Sequence, residues 1–312
     1  MTIFLDDTMQ DMKIPRQSFD EARERREQRG DEWQLGAAIT SLFSVPLSER
    51  RKYQPIGEVQ RGAEDTQDCA SRDKVNDCEA QMNFAYRNGL LHPDTRRFFD
   101  ENGYVVIKNG IPYIECSDAY IGIKSGTTRT GNSLKAPAHA VYQWGLVPKS
   151  LLPLEEWMTW DDYHSPSRIT KEIEDLGLEC KMRLPINYEQ VQRDEFESTI
   201  KHSEICTAGY AWPFPNENGV YPRSPNNFNH AFKLMEPAWY AQDNYLDSHD
   251  NDYIKHLAED YRFFDWGYQM CFTGQYTDID VLKKMGIFDK LMEVLKALRA
   301  YLAKIGKAIR GV

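Results

Sequence analysis

Residues 65–87 read DTQDCASRDKVNDCEAQMNFAYR, and the rest of the chain is best read outward from them. Val75, Cys78, Met82 and Ala85 recur at helical spacing, which predicts an amphipathic helix over 68–87. Asp68 is a residue type that caps a helix N-terminus. Cys69 then stands at the head of the helix, while Cys78 falls on its packed stripe as a core thiol. The partial positive charge of a helix N-terminus stabilises an anion such as a thiolate. Arg72, Asp73, Lys74 and Asp77 make this helix unusually charged for an interior element.

Downstream, residues 89–125 alternate a polar stretch with two short β-like runs, Tyr104–Ile107 and Tyr120–Ile123. Residues 126–133, GTTRTGNS, have the G-x-x-x-x-G spacing of a phosphate loop. Asn132 stands where such a loop needs its lysine, so a turn that brings backbone close to an extended ligand is the better reading. Residues 133–145 predict a short helix closing near Gly145. Residues 151–163 gather large apolar side chains around a turn, and 167–204 read as helical in two pieces split by Pro185. Strand-like runs follow at 205–212, 219–223, 229–235, 239–245, 253–257 and 266–272. Helix early and sheet late gives the α+β class, with two lobes facing each other across a cleft.

The chain has 312 residues, 41% hydrophobic and 28% charged, which is the balance of a globular protein with a sizeable core. Its net charge of -10 argues against nucleic acid as a partner. Six cysteines occur singly, with no C-x-x-C pair. A disulfide framework and a zinc site are therefore not expected, and a reducing compartment is. The N-terminus lacks the pattern of a secretory signal, and no stretch is long enough to span a membrane. Residues 1–32 are charged and 33–47 apolar, so 1–55 reads as an N-terminal arm that docks on its own chain or on another subunit. Residues 278–310 predict a basic amphipathic helix with eight cations against four anions. The domain layout is thus an arm (1–55), a body (56–275) and a C-terminal helix (276–312). The arm and the helix are the expected contacts with other protein subunits (through 1–47 and 278–310); membrane contact is not expected.

The chemistry-bearing residues fall in the order Cys69, His230, then Asp243 and Asn244. His230 opens the strand-like run Asn229–Met235, and the acid and amide follow one turn later. A cysteine nucleophile needs a base, and the base needs a partner that fixes its ring. With Gly57–Gln60, Asp65–Cys69, Ser125–Ser133, Gly145–Pro148, Gly209–Trp212 and Tyr253–Lys255, these residues resemble the papain-like (C1-type) cysteine peptidases, and more closely their bacterial and bacteriophage-encoded branch. The resemblance spans roughly 56–274 and implies a helical lobe with a central nucleophile helix beside an antiparallel β lobe.

It also implies roles. Cys69 would be the nucleophile, His230 the base, and Asp243 or Asn244 the residue that orients the ring. On a strand, Asp243 and Asn244 point to opposite faces, so one of them reaches it. Gln60 would supply an oxyanion amide together with the Cys69 backbone N–H. Gly131 and Ser133 would line a polypeptide groove bordered by Tyr210 and Trp212. The sequence departs from the family at a longer gap between Gln60 and Cys69, and at Ala70, where a bulky aromatic is usual. The expected activity is peptide hydrolysis without a cofactor or metal. A virion structural or assembly protein keeping the fold is the alternative, and under either reading the expected location is the host cytoplasm or the virion. His139, His164, His202, His249 and His256 read as surface or packing residues, and 247–252 as a solvated turn.

Overall fold

A short helix, α1 (Arg50–Tyr53), leads into the 19-residue helix α2 (Cys69–Arg87), which carries most of the predicted stripe into the interior. Val75, Cys78, Met82 and Ala85 are all fully buried, as their spacing requires. The computed structural model describes residues 41–57, 60–209, 215–222, 228–243 and 253–274. The chain divides into two units, 1–275 and 276–312. The second unit, with the expected basic helix, lies outside the described residues, as do residues 1–40 of the arm.

The helical half continues with α3 (Pro93–Glu101), a hairpin of β1 (Val105–Lys108) and β2 (Ile111–Ile114), α4 (Asp118–Ser125), α5 (Lys135–Trp144), α6 (Trp160–Tyr163) and α7 (Lys171–Arg183). Its core joins Val75 and Met82 of α2 to Tyr120, Val141 and Cys180. Burying an apolar side chain of this size contributes about 1.5–3 kcal/mol. The run Tyr120–Ile123, expected as strand, is helix α4. Ser117 accepts the Tyr120 N–H at its start, and Gly126 closes it at φ 73°. A four-residue apolar run carries no period long enough to separate helix from strand.

The second half is a seven-stranded sheet in the order β3-β9-β4-β6-β7-β8-β5. Its strands are β3 (Ile186–Gln192), β4 (Ile205–Gly209), β5 (Val220–Tyr221), β6 (His230–Glu236), β7 (Tyr240–Gln242), β8 (Ile254–Leu257) and β9 (Trp266–Phe272), with a short helix α8 (Phe196–Thr199) after β3. All pairings are antiparallel except the two-residue contact of β5 with β8. The architecture is α+β, as the order of elements predicts. Strand β3 corrects the expectation of helix beyond Pro185: it pairs with β9 along all of 186–192. It is an edge strand, half-exposed over most of its length, and its polar residues hide the strand signal.

The described end of the N-terminal segment is tied to this body. Leu42 N donates to Phe272 O at 2.8 Å, and the buried Arg50 guanidinium donates to Ile200 O and to Met235 O. A separate cluster joins the two halves, bringing Cys69, Ala70 and Leu134 against Ala208, Ala231, Phe264 and Tyr268.

Gly145 ends α5 at φ 71° and ψ -158°, a conformation close to glycine-only, and a Cβ there would lie 2.0 Å from Gly177 O of α7. Gly145→Ala should therefore lower stability by about 3 kcal/mol or more. Gly219→Ala, at φ 74° with nothing near its Cβ, should lose only about 1 kcal/mol. Denaturant melts of both variants test this, and equal losses would contradict the close approach.

Candidate active site

Three elements meet at one point. Cys69 is the first residue of α2, His230 is the first residue of β6, and Asp243 directly follows β7. The β4–β6 register pairs Gly209 with His230 and Ala208 with Ala231, which sets the head of β6 beside the sulfur. Ala231 N points at Cys69 Sγ from 3.5 Å, and the His230 ring hydrogen-bonds the Cys69 sulfur. His230 Nε2 meets Asp243 Oδ1 at 2.5 Å, which leaves Nδ1 for the sulfur. The other carboxylate oxygen, Asp243 Oδ2, takes the Lys255 ammonium of β8 at 2.5 Å. The site is largely enclosed, with Cys69 6% and His230 2% exposed.

Charge in this enclosure is set by pairing. Burial disfavours the His230 imidazolium, yet the Asp243 carboxylate, by charge and hydrogen bond, and Cys69 beside it raise its pKa to about 10. Burial likewise disfavours the Asp243 carboxylate, but Lys255 and His230 outweigh it and hold its carboxyl well below the ordinary range. The ring is therefore an imidazolium at neutral pH, next to a sulfur at a helix N-terminus.

Asp68 occupies the N-cap position but makes no capping hydrogen bond, contrary to expectation. Its carboxyl instead accepts Tyr163 OH at 3.1 Å and Thr127 Oγ1 at 3.3 Å. Burial lifts it to about 7, against the pull of Arg72, Ser71, Tyr163 and Thr127. Arg72, one turn on, pairs with Asp118 at 3.1 Å. These contacts hold the residue before Cys69 from two sides. Asn132 donates to Ser125 Oγ and Thr127 Oγ1, so the loop with phosphate-like spacing braces Asp68 through Thr127. His164 is buried and neutral, its pKa lowered to about 4 by burial, and its Nε2–H donates to Thr66 O at 2.7 Å, three residues before the sulfur.

The other expected site residues fall as follows. Gln60 is fully buried and donates its amide to Asp65 Oδ1 at 3.3 Å. Gly131 forms a turn with Thr128 at φ 92°, and Ser133 Oγ accepts the Ala136 N–H at the start of α5. Leu134, next to Ser133, is the residue of that loop in the Cys69 cluster. Tyr210, Trp212 and Asn244 lie outside the described residues. Sequence reasoning missed Lys255, Tyr163, Thr127 and Asp118, whose roles depend on distant partners. Among the described residues no group of His, Cys, Asp and Glu is arranged to hold a metal.

No family model matches the chain, and no curated protein matches it. Among solved structures it is similar to papain-like cysteine proteases. Xylellain, a cysteine protease from Xylella fastidiosa, is 9% identical with a TM-score of 0.46, over 75% of this chain and 92% of that one. The Amb a 11 cysteine protease of ragweed pollen, in its proform, is 11% identical with a TM-score of 0.46, over 81% and 75%. The bromelain protease from Ananas comosus, in complex with the E64 inhibitor, is 12% identical with a TM-score of 0.44, over 74% and 98%. Likeness at this level assigns neither a reaction nor a site residue to this chain.

The folded-state pKa of His230 lies above its ordinary 6.5, so the stabilisation it brings is complete below about pH 6.5 and is lost as pH rises through about 10. The stability difference between the native chain and His230→Phe should shrink by about 4 kcal/mol between those limits. Urea melts at pH 6 and pH 10.5 measure it. A difference that does not change with pH contradicts the ion pair.

Proposed function

We propose that this chain is a cysteine-type peptidase, or an amide hydrolase of the same chemistry, with Cys69 as nucleophile, His230 as proton carrier and Asp243 as the group that orients the ring. The observation that carries the reading is the unbroken line from the Cys69 sulfur to the His230 ring to the Asp243 carboxylate, which brings the consecutive strands β6 and β7 to the head of the distant helix α2.

The chemistry follows from the atoms. The Cys69 thiolate attacks a carbonyl carbon, and the developing oxyanion is stabilised by the first-turn N–H of Cys69, which has no acceptor within the helix. As the C–N bond breaks, the His230 Nδ1–H protonates the leaving amine and an acyl thioester remains on the sulfur. Water then attacks the thioester, giving its proton to His230. The products are a carboxylic acid and the restored thiolate–imidazolium pair. An oxyanion role for Gln60 requires its amide to leave Asp65 when substrate enters. In the same reading Gly131, Ser133, Tyr210 and Trp212 line the substrate groove. The bacterial or bacteriophage setting, and an assembly role for residues 1–47 and 278–310 in host cytoplasm or virion, are supported by the sequence alone.

A thiol-directed epoxide should label Cys69 of the folded chain at neutral pH and leave Cys69→Ser unlabelled, because the other five cysteines are all at most 1% exposed. Hydrolysis of an unfolded polypeptide should vanish in Cys69→Ser and fall about a thousandfold or more in His230→Asn. A folded native sample that takes up no label overturns the proposal.

A further inference from the structure

Asp243 has two carboxylate oxygens and gives each to a different cation. Oδ1 meets His230 Nε2 and Oδ2 meets Lys255 Nζ. The aspartate and the lysine are both nearly buried, at 7% and 6% exposure, where an uncompensated charge is costly. Lys255 reaches Asp243 because β7 and β8 run antiparallel and pair Ala241 with Lys255, two residues from Asp243 on the same face. Its ammonium also lies 5.3 Å from the Tyr221 ring of β5.

The physical problem that this lysine solves is specific to an acid in the orienting position. A neutral amide there would hold the ring by a hydrogen bond alone. A buried carboxylate adds a full charge against the imidazolium, and with no other cation near it the ring would give up its proton only at great cost. Yet the ring must lose that proton to a leaving group and regain it from water. A second cation on the far oxygen spreads the carboxylate's attraction over two partners. The neighbouring charges do not duplicate this. Asp73, one turn below Cys69 on α2, feels Lys74, His230, Asp243 and Lys233, but burial pushes its carboxyl well above the ordinary range and so disfavours its charged form. Lys233 of β6 is engaged with Glu204, Gln54 and Asn76 O.

We propose that Lys255 is a positioning residue that, through Asp243, limits how tightly His230 holds its proton. The inference rests on the reading of Cys69 and His230 as a reactive pair and adds a fourth member to it.

The test is a carbon-13 titration of the His230 ring, assigned with His230→Asn, in the native chain, Lys255→Met, Lys255→Gln and Lys255→Arg, each with Asp243 and with Asp243→Asn. Lys255→Gln keeps a polar group and guards against misfolding of Lys255→Met. With Asp243 present, both neutral variants should move the His230 midpoint upward by about one to two pH units, from Coulomb's law at an effective dielectric of about 20. Lys255→Arg should leave it near the native value, and with Asp243→Asn the shift should shrink to what direct repulsion between the two cations supplies. An unmoved midpoint in a folded neutral variant overturns the inference and leaves Lys255 a merely structural partner. Iodoacetamide labelling of Cys69 in the same samples separates the two claims. A shifted midpoint with an inert Cys69 keeps the electrostatic role and sinks the peptidase reading, whereas a reactive Cys69 with an unmoved midpoint does the reverse.

Discussion

The buried ion pair of His230 and Asp243 is the constraint on which the site depends. Both groups are removed from water, and neither would keep its charge alone. Each is ionised because the other is, with Lys255 balancing the aspartate from behind and Cys69 facing the ring from the front. Breaking such a pair by removing one partner leaves the other charge stranded, which costs about 3–5 kcal/mol. The fold must therefore deliver all the members together: the head of α2, the head of β6, the end of β7 and the middle of β8.

The architecture around the pair is organised to fix one atom, the sulfur. Helix α2 is buried along nearly its whole length, and its charged residues are accommodated by burial and pairing rather than by solvent. Arg72 finds Asp118, and Asp77 accepts both Gln81 Nε2 at 2.8 Å and Met270 N at 2.9 Å. Asp73 and the Lys74 ammonium have no hydrogen-bond partner among the described residues, and burial discourages ionisation of Asp73. Gly122 is required where it stands, since a Cβ there would fall 2.7 Å from Asp68 Oδ1. The helical half thus holds Cys69 through Asp68, and the sheet holds His230 through strand register.

Much of this was legible in the sequence, and the limits have physical causes. Helix α2 announced itself because Val75, Cys78, Met82 and Ala85 keep one period over several turns. The order Cys69, His230, Asp243 was readable because Cys69 and His230 sit near the starts of predicted elements and Asp243 falls in the strand-like run that follows. Between Asp243 and Asn244 the sequence left a choice; Asp243 Oδ1 meets the ring, and Asn244 lies outside the described residues. Strand β3 was misread because its edge position leaves it polar, and α4 because four apolar residues fit either period. The cap on Asp68 was misassigned for a different reason. Its carboxyl prefers Tyr163 and Thr127, contacts that only the fold brings within reach. Lys255 was visible as a residue, but nothing local to β8 says that it faces an aspartate across the sheet.

The most direct test of the account is the proton shared by His230 Nε2 and Asp243 Oδ1. In proton spectra at neutral pH it should give a resonance far downfield of the amide envelope. That resonance should be absent from His230→Asn and displaced when Cys69 is alkylated, because the sulfur and the carboxylate act on the same ring. A spectrum without it, or a resonance indifferent to alkylation of Cys69, would contradict the claim that these groups form one charged unit.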